Sequence, residues 1–158
     1  MAFAFLNPPA SFFSSIPSSN SSNSSSTMST FTPSFVGALA GSTLTGARGE
    51  KIVTGSQITF NFQFGVSSYV SLNPANVRIN LPTTATSTVD QIVVINLIEG
   101  VDGSAYNSGT FFTDFNVPGY TIIQLPGVIK VGSSFIELKV INTVLQTDDF
   151  WMGQITYI

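Results

Sequence analysis

Seven consecutive residues, Ile58–Phe64, alternate strictly between apolar and polar side chains. Successive residues of a β-strand point to opposite faces, so apolar side chains at every second position share one face. In this segment the shared face consists of Ile58, Phe60, Phe62 and Phe64. The pattern therefore predicts a strand with one buried side and one polar side.

Other segments also show strand patterns. Alternation is present in Val77–Leu81, Ile136–Val140 and Met152–Ile158. The apolar run Ile92–Ile98 predicts a strand that is buried more completely. Pro126-Gly127 predicts a turn, because proline presets φ and glycine accepts a positive φ. The strands predicted on either side of this turn are Tyr120–Leu125 and Val128–Val131. Three shorter candidates are Lys51–Thr54, Tyr69–Leu72 and Thr110–Phe115.

No segment has the 3.6-residue apolar periodicity of a helix together with matching caps. Short strands spaced about 8 to 12 residues apart are typical of all-β folds. We therefore predict a two-sheet antiparallel β-sandwich, and the pattern leaves jelly-roll and immunoglobulin-like topologies both open. The expected core includes Phe60, Phe62, Ile79, Val94, Leu138 and Ile155.

The first 47 residues contain no Asp, Glu, Lys or Arg. Within them, Ser18–Thr30 is almost entirely Ser, Thr and Asn, and such a tract buries too little apolar area to order itself. We therefore predict two parts, an uncharged extended N-terminal arm over residues 1–47 and a β-sandwich domain over residues 48–158.

Six of the 14 phenylalanines lie in the first 35 residues, on both sides of the Ser/Asn tract. Exposed phenylalanine promotes aggregation, so aromatic side chains on an arm favour docking into grooves of neighbouring molecules. The predicted interface anchors are Phe3, Phe5, Phe12, Phe13, Ile16, Phe31 and Phe35.

The chain has no His and no Cys, which removes thiol nucleophiles, Ser-His-Asp triads, disulfides and the usual zinc and haem ligand sets. The remaining acid–base candidates are the carboxylate pairs Glu99 with Asp102 and Asp148 with Asp149. No spacing fixes either pair across a cleft, and no run resembles a calcium-binding loop. We therefore predict no enzyme activity, no cofactor and no metal site.

Two weaker motifs concern carbohydrate. Phe150-Trp151, with Tyr106, Tyr120 and Tyr157, is a possible stacking platform for sugars, although aromatic residues at strand ends are more often core or interface anchors. Asn20 and Asn23 each begin an N-x-Ser sequon, which matters only in a glycosylating compartment.

Charged residues make up 8% of the chain, against about 25% in ordinary soluble domains. Five cations and a net charge of −3 argue against nucleic acid as a partner. No apolar run is long enough to span a bilayer, and the N-terminus lacks the positive region of a secretory signal. Such a low charge favours a surface that is covered by other proteins or by glycans, or one that is kept soluble by its many Ser, Thr and Asn side chains.

These features together favour a structural assembly protein. The first expectation is a virion minor capsid, cement or decoration protein, made in the host cytoplasm, whose arm docks on copies of itself or on a major capsid protein. The alternative is a subunit of an extracellular filament or surface layer that is joined by strand donation. A carbohydrate-binding module is the third reading.

Overall fold

The computed structural model describes residues 25–99, 121–138, 145–147 and 149–158. Within these ranges the chain forms nine strands and one 3-10 turn and contains no α-helix, which confirms the all-β prediction. The elements are β1 (Ser26–Phe31), β2 (Phe35–Val36), the 3-10 turn (Gly37–Leu39), β3 (Thr43–Thr54), β4 (Gln57–Ser68), β5 (Val77–Asn80), β6 (Gln91–Glu99), β7 (Thr121–Ile129), β8 (Phe135–Leu138) and β9 (Phe150–Tyr157).

The nine strands form a single antiparallel sheet in the order β1-β3-β4-β9-β6-β7-β8-β5-β2. The two edge strands, β1 and β2, are consecutive in the chain and are separated only by residues 32–34. Such a connection spans at most about 15 Å, because neighbouring Cα atoms are about 3.8 Å apart. The sheet must therefore curl until its edges approach one another, which makes a half-barrel. The predicted division into two separate sheets is not confirmed, since the ladder is continuous.

The core lies on the concave side of this sheet. The predicted strand Ile58–Phe64 forms the centre of β4, and its four apolar side chains are buried there. Phe60 stacks on Phe62 with ring centroids 4.9 Å apart, and Phe62 stacks on Phe64 at 6.0 Å. Trp151 continues the stack at 6.4 Å from Phe64. Alternation along one strand thus places an aromatic column at the centre of the half-barrel.

The predicted turn at Pro126-Gly127 is wrong, because both residues lie inside the continuous strand β7. Gly127 is required here by close packing: a Cβ on it would lie 2.6 Å from Leu138 Cδ2 and 2.8 Å from Ile136 Cγ2. The side chain of Pro126 is exposed, and Pro126 lies just before the point where β8 begins to pair with β7 at Gly127. Its missing N–H is therefore tolerated.

The prediction that Ile92–Ile98 is buried more completely than the alternating strands is also wrong for the first half of this segment. Ile92 is 82% exposed and Val94 is 51% exposed, whereas Ile95 and Leu97 are fully buried. Only one face of this half of β6 is covered, so Val94 does not belong to the core. The other expected core residues, Phe60, Phe62, Ile79, Leu138 and Ile155, are buried.

The predicted boundary at residue 47 falls inside β3, and residues 26–47 contribute β1, β2 and the start of β3 to the sheet. Ser26–Thr30, which composition alone predicts to be flexible, form most of β1. The short candidate Tyr69–Leu72 is not a strand. Thr110–Phe115 and residues 1–24 lie outside the described residues.

Candidate interaction surface

β1 forms one edge of the sheet. It pairs with β3 in antiparallel register from Ser26 opposite Thr54 to Phe31 opposite Gly49. No described strand pairs with its other side. The backbone N–H and C=O groups on that side are the hydrogen-bonding groups to which a further strand would bind.

β1 has none of the features that usually protect an edge strand. Its sequence, STMSTF, contains no charge and no proline, and its pairing with β3 contains no bulge. Ser26–Thr30 are all exposed. The opposite edge differs, because β2 is only two residues long and Phe35 within it is buried. Long, uncharged edges favour pairing with another chain, whereas short edges do not.

Met28 is the large apolar side chain on this edge and is 71% exposed. Its partner in β3 is Ile52, which is half-buried, and residues directly opposite one another share a face of the sheet. Phe31 instead packs toward the concave side against Phe60. Met28 therefore lies with Ile52 on the convex face, in an apolar row that ends at the sheet edge.

A groove of about 400 Å³ lies at the C-terminal end of β1. It is lined by Thr30, Phe31, Thr32, Ala47, Arg48 and Gly49. Arg48 Nη2 donates a hydrogen bond to Glu50 Oε1 over 3.0 Å at its margin. A Cβ on Gly49 would lie 2.6 Å from the Phe31 carbonyl oxygen, so this position requires glycine. The groove is thus built from the same two strands that form the open edge.

Two of the predicted anchors are described, and both pack within their own chain. Phe31 meets Phe60 edge-on with ring centroids 5.5 Å apart. Phe35 is buried and meets Phe64 edge-on at 5.1 Å and Trp151 at 5.6 Å. The other five, Phe3, Phe5, Phe12, Phe13 and Ile16, lie outside the described residues. Docking by the other five predicted anchor side chains stays a prediction.

Asp149, one of the candidate acid–base carboxylates, is buried. The indole Nε1 of Trp151 donates to the Tyr69 hydroxyl over 2.7 Å, and that hydroxyl donates to Asp149 Oδ2 over 3.0 Å. The backbone N–H of Gln146 donates to the same oxygen over 3.0 Å. Burial, followed by the nearby charge of Asp149, raises the pKa of Tyr69 far above its usual range.

This network is suited to holding the core in place. A tyrosine whose pKa is raised keeps its proton, so it acts as a hydrogen-bond donor and not as a base. Trp151 Nε1, the Tyr69 hydroxyl and Asp149 Oδ2 each have a hydrogen-bond partner, as buried polar atoms usually do. Asp149 also binds through its backbone, since its carbonyl accepts from the N–H of Val66 over 2.9 Å. The network joins the start of β9 to the end of β4.

The other chemical candidates find little support in the described residues. Phe150, Trp151 and Tyr157 are buried, so their rings offer no sugar-stacking platform. Tyr106, Tyr120, Asp102 and Asp148 lie outside the described residues, while Glu99 is half-buried at the end of β6. No three carboxylates within the described ranges are grouped to hold a metal ion. The part of the chain that the structure describes contains no helix with the length and hydrophobicity of a membrane span.

No protein-family model matches the sequence, and comparisons with curated proteins and with solved structures give no significant match. The open edge of β1 is the feature that sequence analysis missed. The available signal was weak, because Thr27, Thr30 and Phe31 favour strands but stand among serines that do not alternate in polarity.

Proposed function

We propose that this protein is a structural assembly protein whose N-terminal segment joins it to neighbouring subunits. One observation carries the proposal: β1 is an exposed, uncharged edge strand, and it directly follows the uncharged residues 1–24. Open edges with these properties pair readily with other chains. The phenylalanines of the preceding segment supply apolar groups for a groove on a neighbour.

The charge distribution supports a protein partner. The chain carries only 13 charged side chains, and none of them lies in the first 47 residues. Of the five cations, Arg48 is paired with Glu50, and Arg78 and Lys130 are paired with Glu137. A segment with no cations neutralises no phosphates, so the arm is better suited to bind protein than nucleic acid.

Within this class we propose a virion minor capsid, cement or decoration protein as the first assignment. Its partners would be copies of itself or a major capsid protein. In such an assembly the half-barrel would be the compact unit that packs against its neighbours. Its sheet would divide into two sandwich-like layers between β6 and β9. These two strands pair only between Asn96–Ile98 and Phe150–Met152, whereas β6 and β7 pair from Gln91 to Glu99.

The open edge also favours a second candidate, the subunit of an extracellular filament or surface layer. In such assemblies a segment of one subunit adds a strand to the sheet of the next. β1 offers the edge that strand donation needs. Processing separates the two assignments: cleavage of a leader, or glycans on Asn20 or Asn23, would favour the secreted filament.

Light scattering on the purified protein tests the assembly proposal. We expect the full chain to form particles larger than a monomer and the fragment 25–158 to form smaller ones. The cut belongs before Ser25 because residues 26–34 include β1 and Phe31, which packs on the core. Circular dichroism of the fragment checks that the sheet is retained.

A matched pair of full-length variants separates anchoring from simple length. In one variant serine replaces Phe3, Phe5, Phe12, Phe13 and Ile16; in its control alanine replaces Ser18, Ser19, Ser21, Ser22 and Ser24. We expect smaller particles only from the first variant. A monomeric full chain, or equal particle masses for all of these proteins, would overturn the proposal.

A further inference from the structure

We infer that β1 pairs with β1 of a second copy around a two-fold axis centred on Met28, so that two half-barrel sheets join edge to edge. This inference rests on the proposed assembly function and names the partner of the open edge. The two-fold pair is antiparallel, and each strand offers the other the same surface. No charge lies on β1, so two copies approach without like-charge repulsion along the shared edge.

The alternation of side chains restricts where the axis lies. Directly opposed residues of an antiparallel pair are on the same face of the sheet. With a two-fold axis perpendicular to the sheet, one residue of β1 must therefore lie directly opposite the same residue of the second copy. The axis passes between these two residues. In a six-residue strand the central choices are Met28 opposite Met28 and Ser29 opposite Ser29.

The neighbours in β3 favour Met28. Met28 is opposite Ile52, so centring on Met28 produces a row Ile52-Met28-Met28-Ile52 across the junction on the convex face. This row covers the most exposed large side chain of the edge, at 71%. Ser29 is opposite Lys51, so centring on Ser29 places two lysines in one row and no apolar pair. Burial of apolar area stabilises the first register.

The same register places the N-terminal end of each β1 beside the groove of the second copy. With Met28 facing Met28, Ser26 of one copy lies opposite Thr30 of the other. Ser25 of one copy therefore lies opposite Phe31 of the other, beside the groove that is lined by Thr30, Phe31, Thr32, Ala47, Arg48 and Gly49.

The absence of cysteine from the chain makes the register directly measurable. Opposed residues of an antiparallel pair have Cα atoms about 4.5 to 5.5 Å apart, within the range of about 4.4 to 6.8 Å that a disulfide bridges. The test is oxidation of full-length Met28→Cys, followed by intact mass under denaturing, non-reducing conditions. We expect a disulfide-linked dimer as the main species.

Three further variants serve as controls. Val131→Cys places a single thiol at another exposed position, on the turn between β7 and β8, where Val131 is 54% exposed, and measures random collision. Ser26→Cys and Thr30→Cys should not cross-link alone, since like positions would be about 14 Å apart at about 3.4 Å per residue. An equimolar mixture of these two should cross-link as a heterodimer, because Ser26 faces Thr30.

The outcomes separate this inference from the proposed function. The Met28-centred pair would be overturned if Met28→Cys cross-linked no more than Val131→Cys. If Ser29→Cys cross-linked more than Met28→Cys, the register centred on Ser29 would replace it. If the wild-type chain still forms large particles in either case, the assembly proposal survives and only the symmetric edge contact fails. A wild-type monomer with no cross-linking would overturn both.

Discussion

Replacing Gly127 by alanine tests whether β7 passes straight through the Pro126-Gly127 pair. The added methyl group would lie 2.6 Å from Leu138 Cδ2, 2.8 Å from Ile136 Cγ2 and 3.2 Å from Val93 Cγ2. Leu138 and Ile136 are fully buried, so neither can move into solvent. Overpacking of this kind costs about 1 to 3 kcal/mol, and the stiffer unfolded chain returns about 0.4 to 1 kcal/mol. We expect a net loss of about 1 to 2 kcal/mol.

A double-mutant cycle with Leu138→Ala identifies the cause of that loss. Leu138→Ala alone should cost about 2 to 5 kcal/mol by leaving a cavity. In Gly127→Ala/Leu138→Ala the new methyl group occupies part of that cavity. The double variant should therefore lose about 1 to 2 kcal/mol less stability than the two single losses add up to. The assay is urea unfolding followed by the fluorescence of Trp151, the single tryptophan.

Gly132→Ala is the matched control. Gly132 has a φ of +70° and open space around its Cβ position, so alanine there costs about 1 to 2 kcal/mol through backbone strain alone. Its effect should add to that of Leu138→Ala within about 0.5 kcal/mol. If Gly127→Ala also adds simply to Leu138→Ala, close packing in β7 does not explain the glycine and the reasoning fails.

Two further predictions concern two adjacent residues of β6 and the effect of high pH. Val94→Ala should change the free energy of unfolding by less than about 0.5 kcal/mol, whereas Ile95→Ala should cost about 2 to 5 kcal/mol, because only Ile95 is buried. Both values are measured by urea unfolding, and equal losses would contradict the assignment of faces in β6. Burial raises the pKa of Tyr157 from 10.0 to about 12. A raised tyrosine pKa contributes stability that is complete below pH 10 and is lost as pH rises toward about 12. The wild-type protein should therefore lose stability more steeply over this interval than Tyr157→Phe, and parallel pH profiles from urea unfolding followed by circular dichroism would argue against a buried hydroxyl.

The fold was predictable where burial follows the local period of the side chains. β4, β5, β8 and β9 match their predicted segments within the described residues, because one face of each strand is apolar. β1 was not predictable in this way, since its Ser/Thr sequence has no apolar face and gains order from pairing with β3. The candidate surface was missed for the same reason. An edge is a property of strand order, and strand order has no local signal.

The sequence by itself determined the all-β class, the faces of the most regular strands, and the absence of histidine and thiol chemistry. These depend on the period-two pattern and on which side chains are present, both of which are local. The tertiary structure decided which residues meet across long separations. Asp149 is buried because Tyr69, 80 positions earlier, donates to it, and Gly127 must be glycine because Leu138 lies against it on β8. A dipeptide such as Pro126-Gly127 is compatible with a turn or a strand, and the neighbouring strands decide between them.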